Sequence, residues 1–261
     1  MYVVIAVANQ KGGVGKTATS VNLGIDLARK GKKVLLIDAD VQGDLTKSLG
    51  YKEPDEIVVT IATIMVDIIE DQEFDFSKGI LHHAENVDIL PANIELSGIE
   101  VSLVNVMSRE TVLKRYVDKV RDHYDYIVID CMPSLGMLTI NTLVSADTVL
   151  IPVQAAYLPV KGLQQLIKTI GKVHRQLNPQ LDIMGILLTM VDYRTNFAKS
   201  ISAKLREAYG ERVRIFASHI PQSIRVAEST AEGKSIFRHD PRGKAAQAYE
   251  LVTEEVLSYE R

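Results

Sequence analysis

Residues 3–17 read VVIAVANQKGGVGKT, and the reading of this stretch decides the fold. VVIAVA (3–8) is a short β-branched apolar run without polar alternation, the pattern of a strand covered on both faces. Asn9-Gln10-Lys11-Gly12-Gly13-Val14-Gly15-Lys16-Thr17 follows it directly and opens a helical pattern. Glycines let a backbone turn its N–H groups inward, and a helix N-terminus adds partial positive charge, so the natural guest is a polyphosphate. Gly12, Gly13, Val14, Gly15, Lys16, Thr17 and Ala18 are the expected nucleotide-binding residues. Lys16 would reach the β- and γ-phosphates and the Thr17 hydroxyl would ligate Mg²⁺. The usual loop has a glycine where this chain has Gln10, so the motif is a variant in the right strand–loop–helix context. Lys11, at the start of the loop, has two readings. It is a solvated lysine, or it reaches a phosphate held by a second subunit and supplies charge in trans, as an arginine finger does.

Outward from this loop, KVLLID (33–38), VDILPA (87–92), YDYIVID (124–130), DTVLIPVQ (147–154) and IMGILLTM (183–190) read as further buried strands. Helical patterns near 15–30, 57–70, 109–122, 136–145, 161–176, 197–208 and 243–257 alternate with them. Such alternation predicts an α/β fold, a doubly wound, mostly parallel sheet with helices on both faces and right-handed crossovers. No internal repeat, low-complexity tract or Pro/Gly/Ser linker divides the chain, so one domain over 1–261 is expected. The first strand is expected to start at residue 2 or 3, and no helix-turn-helix module is expected before it.

Composition bounds the function. Thirty Lys+Arg against 33 Asp+Glu give a formal charge of −3, which argues against coating nucleic acid by bulk charge and leaves a local basic patch open. With 46% hydrophobic and 24% charged residues there is ample apolar surface to bury, which excludes disorder for most of the chain. The one cysteine, Cys131, excludes an internal disulfide and a multi-cysteine zinc or iron–sulfur site within one chain. MYVVIAVA (1–8) lacks the basic start and cleavage site of a signal peptide. The longest apolar stretch, 57–69, carries Thr60, Thr63 and Asp67 and falls short of the roughly 18–20 residues that span a bilayer. A soluble, cytoplasmic protein is expected.

Asp38 and Asp40 end the second strand, and Asp130 ends the strand reading IVID. Carboxylates at strand C-termini beside a phosphate loop are placed for metal and water. Asp130 would hold Mg²⁺ through water, and Asp38 would support the loop and the metal. The alternative for any one of them is helix capping.

At these residues a resemblance becomes specific. KGGVGKT (11–17) resembles the deviant phosphate loop (deviant Walker A) of the ParA/MinD family of ATPases. VLLIDADVQGDLTKSLG (34–50), YDYIVIDCMPSLGMLTINTLVSAD (124–147) and IPQSIRVAESTAEGKSI (220–236) resemble that family's second, magnesium and C-terminal motifs. Together they point to the ParA/Soj branch, the DNA-partitioning ATPases. The resemblance implies ATP and Mg²⁺ as ligands, with Lys11 contacting the nucleotide across an ATP-sandwiched homodimer. It implies catalytic roles for Lys11, Lys16 and Asp40, with Asp40 orienting or deprotonating the attacking water. Hydrolysis would be slow until a ParB-like partner perfects the geometry. The adenine would lie against Ile220-Pro221-Gln222-Ser223 and the strand end at 189–191, which singles out Pro221 and Ser223. Arg194 and Arg225 fall where relatives carry arginines that grip DNA without sequence preference, with Lys199, Lys204 and Arg206 as further candidates; nucleoid association would follow. Four positions depart from the family pattern: Ala18 replaces a second Thr, Val41 a Pro, Asp44 an Asn and Met132 a Pro.

Three competitors share the loop. A MinD-like membrane regulator ends in a basic amphipathic helix, whereas AAQAYELVTEEVLSYER (245–261) is acidic, and its Tyr249, Val252, Val256 and Tyr259 read as a face packed on the sheet, so no membrane partner is expected. An iron–sulfur reductase of the nitrogenase type needs two cysteines per subunit, and this chain has one. A scaffold ATPase serving a conjugation, polysaccharide or localisation system stays open.

Overall fold

The apolar runs pair into one eight-stranded sheet in the order β3-β4-β2-β5-β1-β6-β7-β8. The strands are β1 (Val3–Val7), β2 (Val34–Ala39), β3 (Leu81–His82), β4 (Asp88–Leu90), β5 (Tyr126–Cys131), β6 (Thr148–Gln154), β7 (Asp182–Val191) and β8 (Ile215–Pro221). All neighbours run parallel except β3, which turns back antiparallel on β4. This computed structural model describes residues 2–155, 160–192 and 196–259.

Helices cover both faces: α1 (Lys16–Arg29), α2 (Asp44–Ser48), α3 (Ile61–Ile69), α4 (Leu96–Ser102), α5 (Val112–Val120), α6 (Met137–Ser145), α7 (Val160–Gln176), α8 (Asn196–Tyr209), α9 (Ile224–Ala231), α10 (Ile236–His239) and α11 (Lys244–Leu257). Successive strand residues point to opposite sides, so each strand feeds two cores. Val4, Ala6, Leu35, Ile37, Ile127 and Ile129 pack with apolar residues of α3–α8. Ile5, Val7, Leu36, Val128 and Leu150 pack on the other face with α1, α10 and α11. That double burial is why the strands read as unbroken apolar runs. The doubly wound α/β fold expected from the sequence is the observed one.

Local chemistry sets the boundaries. The helix expected over 57–70 begins at Ile61 because Thr60 caps it: Thr60 Oγ1 accepts from Ala62 N at 3.2 Å, and Thr63 Oγ1 accepts from Thr60 N at 3.2 Å. The α11 face expected to pack does so, with Tyr249, Val252 and Val256 only 1%, 0% and 2% exposed. Sequence reading missed β3, β8 and the short helices α2, α4, α9 and α10. Edge strand β8 is half-covered, with Ala217 exposed and Ser218 and His219 half-buried, so it lacks the continuous apolar signature. Among the described residues no helix is long and apolar enough to cross a membrane.

Candidate functional site

The chain leaves β1 for β2 on one side and later places β6 on the other, so the loop after β1 opens at the point where strand order reverses. Ligands of open α/β sheets bind in that crevice. The loop is pinned from both sides. Asn9 Nδ2 donates to Pro152 O at 2.7 Å, and Thr189 Oγ1 donates to Val14 O at 2.8 Å. Between the pins Gly13 and Gly15 take φ of 70° and 82°, left-handed values that strain any residue with a Cβ. Gly15 is the N-cap of α1 and no side chain caps that helix, so its first-turn N–H groups remain for an anion. Lys16, 7% exposed, lays its ammonium over the loop and donates to Lys11 O at 3.3 Å. A buried ammonium beside the uncapped first turn of a helix is a cradle for phosphate oxygens.

Two hydroxyls of α1 bracket Asp130. Thr17 Oγ1 donates to its Oδ2 and Ser20 Oγ to its Oδ1, each at 2.8 Å. Burial, followed by the charge of Asp38 beside it, pushes the Asp130 carboxyl up to about 7. Asp38 and Asp130 are register partners on adjacent strands, and burial raises Asp38 to about 6. A divalent cation at Thr17 would hold Asp130 ionised and relieve this crowding, so the donor set fits Mg²⁺ ligated by hydroxyl, water and phosphate.

Asp38, expected to support the loop and the metal, has both carboxylate oxygens engaged by the β2–α2 turn. Its Oδ2 accepts from Thr46 N at 2.9 Å and from Thr46 Oγ1 at 2.7 Å, while its Oδ1 accepts from Asp40 N at 3.1 Å. A fully buried carboxylate must satisfy its acceptors, and Asp38 does so by holding the β2–α2 turn. That turn presents Asp40, 7% exposed, to the cleft. Its Oδ1 accepts from Gln42 N at 3.1 Å, and burial raises its pKa above the usual carboxylate value.

The phosphate cleft, about 490 Å³, is lined by Gly12, Gly13, Lys16, Thr17, Asp40 and Met132 among others. It runs into a more apolar slot of about 300 Å³ through Gly15, Ala18, Met190 and Thr230, which line both. Pro221 and Ser223, expected at the base, line this slot with Ile220, Val226 and Ala227. Flat apolar walls beside a phosphate cradle suit a purine. Met190, at the junction, holds a left-handed φ of 52°, strain of the kind that collects at ligand sites. Val226, Ala227 and Thr230 escaped the sequence reading because they sit on α9, a helix the apolar periodicity did not reveal. A larger groove of about 950 Å³, between β8 and α11, contains no residue of the phosphate loop, so size does not mark the site.

Among the expected DNA contacts, Arg225 is 63% exposed on α9 and pairs with Glu228 at 2.9 Å. Lys204 and Arg206 are exposed on α8, while Arg194 and the side chain of Lys199 lie outside the described residues.

Fold and site together define a phosphate-loop nucleotide-binding protein. A sequence model of the AAA_31 family, an AAA domain, matches residues 2–183. The sporulation initiation inhibitor protein Soj of Bacillus subtilis is 44% identical, over 98% of each chain. The chromosome partitioning protein ParA of Caulobacter vibrioides is 37% identical, over 99% of this chain and 95% of its own. Among solved structures, the cobyrinic acid a,c-diamide synthase of Mycobacterium smegmatis with bound ADP and magnesium superposes with a TM-score of 0.86 at 35% identity, covering 99% of this chain and 95% of that one. A plasmid partition protein of Borrelia burgdorferi bound to AMPPNP gives 0.80 at 26% identity over the whole of both chains. The chain belongs to the ParA/MinD family of ATPases, in its ParA/Soj branch.

Proposed function

We propose that the chain is a DNA-partitioning ATPase, a single ATPase domain over 1–261. It binds Mg·ATP, pairs with a second copy, holds DNA without sequence preference, and hydrolyses ATP slowly until a ParB-like partner stimulates it. The observation that carries ATP binding is the buried Lys16 ammonium over the uncapped N-terminus of α1, with Thr17 joined to Asp130 beneath it. The loop amides and Lys16 would hold the β- and γ-phosphates, Thr17 and Asp130 would hold Mg²⁺, and Pro221, Ser223 and Met190 would bound the adenine. Bound Mg²⁺ supplies charge neutralisation on the phosphates. Asp40 would orient the attacking water or take its proton, the role for which its place at the cleft wall suits it. Lys11 would cross to the partner's nucleotide, so that occupancy and pairing become one event.

The partitioning role is drawn from the likeness to Soj and ParA over nearly the full chain. It is also favoured by α9, which carries exposed Arg225 on one side and slot residues Val226, Ala227 and Thr230 on the other. A cytoplasmic, nucleoid-associated protein follows from this reading. The MinD-like alternative asks for an apolar helix face free for lipid, whereas the face of α11 is spent on the sheet. Retention on DNA with ATP, ADP and no nucleotide, across a salt series, tests the proposal. Retention with ATP alone, falling steeply with salt, is expected. Absence of retention with ATP, or retention on anionic vesicles instead, would contradict it.

A further inference from the structure

The two loops that flank the phosphate cleft are tied to one stretch of chain, which runs from Ala92 into the short helix α4. On one side, Thr46 Oγ1 donates to Asp38 at 2.7 Å and accepts from Ala92 N at 3.2 Å, which ties the β2–α2 turn to the segment leading into α4. On the other side, Glu100 of α4 reaches the far end of the loop that follows Asp130. Its Oε1 accepts from Met137 N at 3.0 Å, the first amide of α6. Gly136, the N-cap of α6, provides no side chain for that amide, so the carboxylate caps the helix from a different element. Glu100 is half-buried, and its oxygen lies against Gly136 where a side chain would otherwise stand.

The loop so held runs from Asp130 through Met132 and Pro133, which line the phosphate cleft, to Met137. Within it Ser134 N donates to Met132 O at 2.8 Å, Gly136 N to Ser134 Oγ at 3.1 Å, and Thr139 Oγ1 to Ser134 O at 3.0 Å. These bonds shape the loop from within. The Glu100 bond fixes the shaped loop to the layer that also carries Asp38's turn.

We propose that Glu100 is a positioning residue for hydrolysis: from α4 it sets the loop after Asp130 against the turn that carries Asp40. The inference rests on the ATPase reading above. Among the described residues the Glu100 carboxylate bonds to Met137 N, on the loop after Asp130, so it acts on the placement of metal and water and leaves the phosphate cradle intact. A displacement of about 1 Å at such a site costs on the order of 10²-fold in rate.

The test compares the wild-type chain with Glu100→Ala, Glu100→Asp and Glu100→Gln, reading affinity for a fluorescent ATP analogue, kcat, KM and melting temperature. Glu100→Ala is expected to lower kcat by about tenfold or more while nucleotide affinity stays within about threefold. Glu100→Gln keeps an acceptor oxygen at the same reach, so it is expected to restore most of kcat. Glu100→Asp withdraws that oxygen and is expected to behave like the alanine variant, which keeps the test alive should Glu100→Ala be insoluble. Wild-type kcat in Glu100→Ala or Glu100→Asp overturns the inference. So does a joint fall of affinity, kcat and melting temperature, the mark of a purely structural residue. A wild-type chain without turnover overturns the ATPase reading itself, a result distinct from either.

Discussion

At the residue scale the site is a set of buried carboxylates with different partners. Asp130 is bracketed by hydroxyls, Asp38 is consumed by Thr46, and Asp40 is left facing the cleft. Asp40→Ala is therefore expected to bind ATP with near-normal affinity and lose turnover by about 10²–10⁴-fold, measured as phosphate release against analogue binding. Normal turnover would remove Asp40 from its role. Burial lifts Asp38 to about 6 and Asp130 to about 7 from an ordinary 3.8, so the folded chain holds these protons more tightly than the unfolded chain. Their contribution to stability is present below about pH 4 and is lost as pH rises to about 7. Without nucleotide or Mg²⁺, thermal melts of Asp130→Asn should show a flatter pH dependence over that window than wild type. An equal slope would mean that Asp130 ionises freely in the fold.

At the element scale, α1 must sit flush on β2 to bring Lys16, Thr17 and Ser20 to Asp130. Gly24 in mid-helix allows this, since a Cβ there would collide with the Leu36 side chain. Gly24→Val is expected to cost about 1–3 kcal/mol by overpacking, seen as a lower denaturation midpoint with an unchanged slope. The elements legible in the sequence were those with strong signatures: doubly buried strands such as β1 and β5, and long helices such as α1 and α11. The short α4 gave no comparable signal, because seven residues are fewer than the window over which a helical period stands out. Asp38's true partner was hidden for the same reason, since Thr46 belongs to the five-residue helix α2. The phosphate loop was readable because its chemistry is local, whereas the apolar slot proposed for the adenine draws on β7, β8 and α9, and its Pro221 and Ser223 were reached through family likeness.

At the scale of the whole molecule, the proposed function couples the phosphate cleft to pairing through Lys11 and to DNA through Arg225 on α9. Arg225→Glu is expected to abolish DNA retention while ATP-driven pairing persists, because the residue lies on the outer side of α9. Unchanged retention would discard that face. Lys11 has the opposite signature. Its loop position and backbone contact with Lys16 are compatible with a role within one chain, yet the proposal sends its side chain to a partner's nucleotide. The direct test is the particle mass by light scattering in Mg·ATP and Mg·ADP, with Asp40→Ala used to slow turnover. The mass is predicted to double with ATP and not with ADP, and to stay that of one chain when Lys11→Ala is added. Doubling that survives the loss of Lys11, or no doubling with ATP at all, would contradict the account.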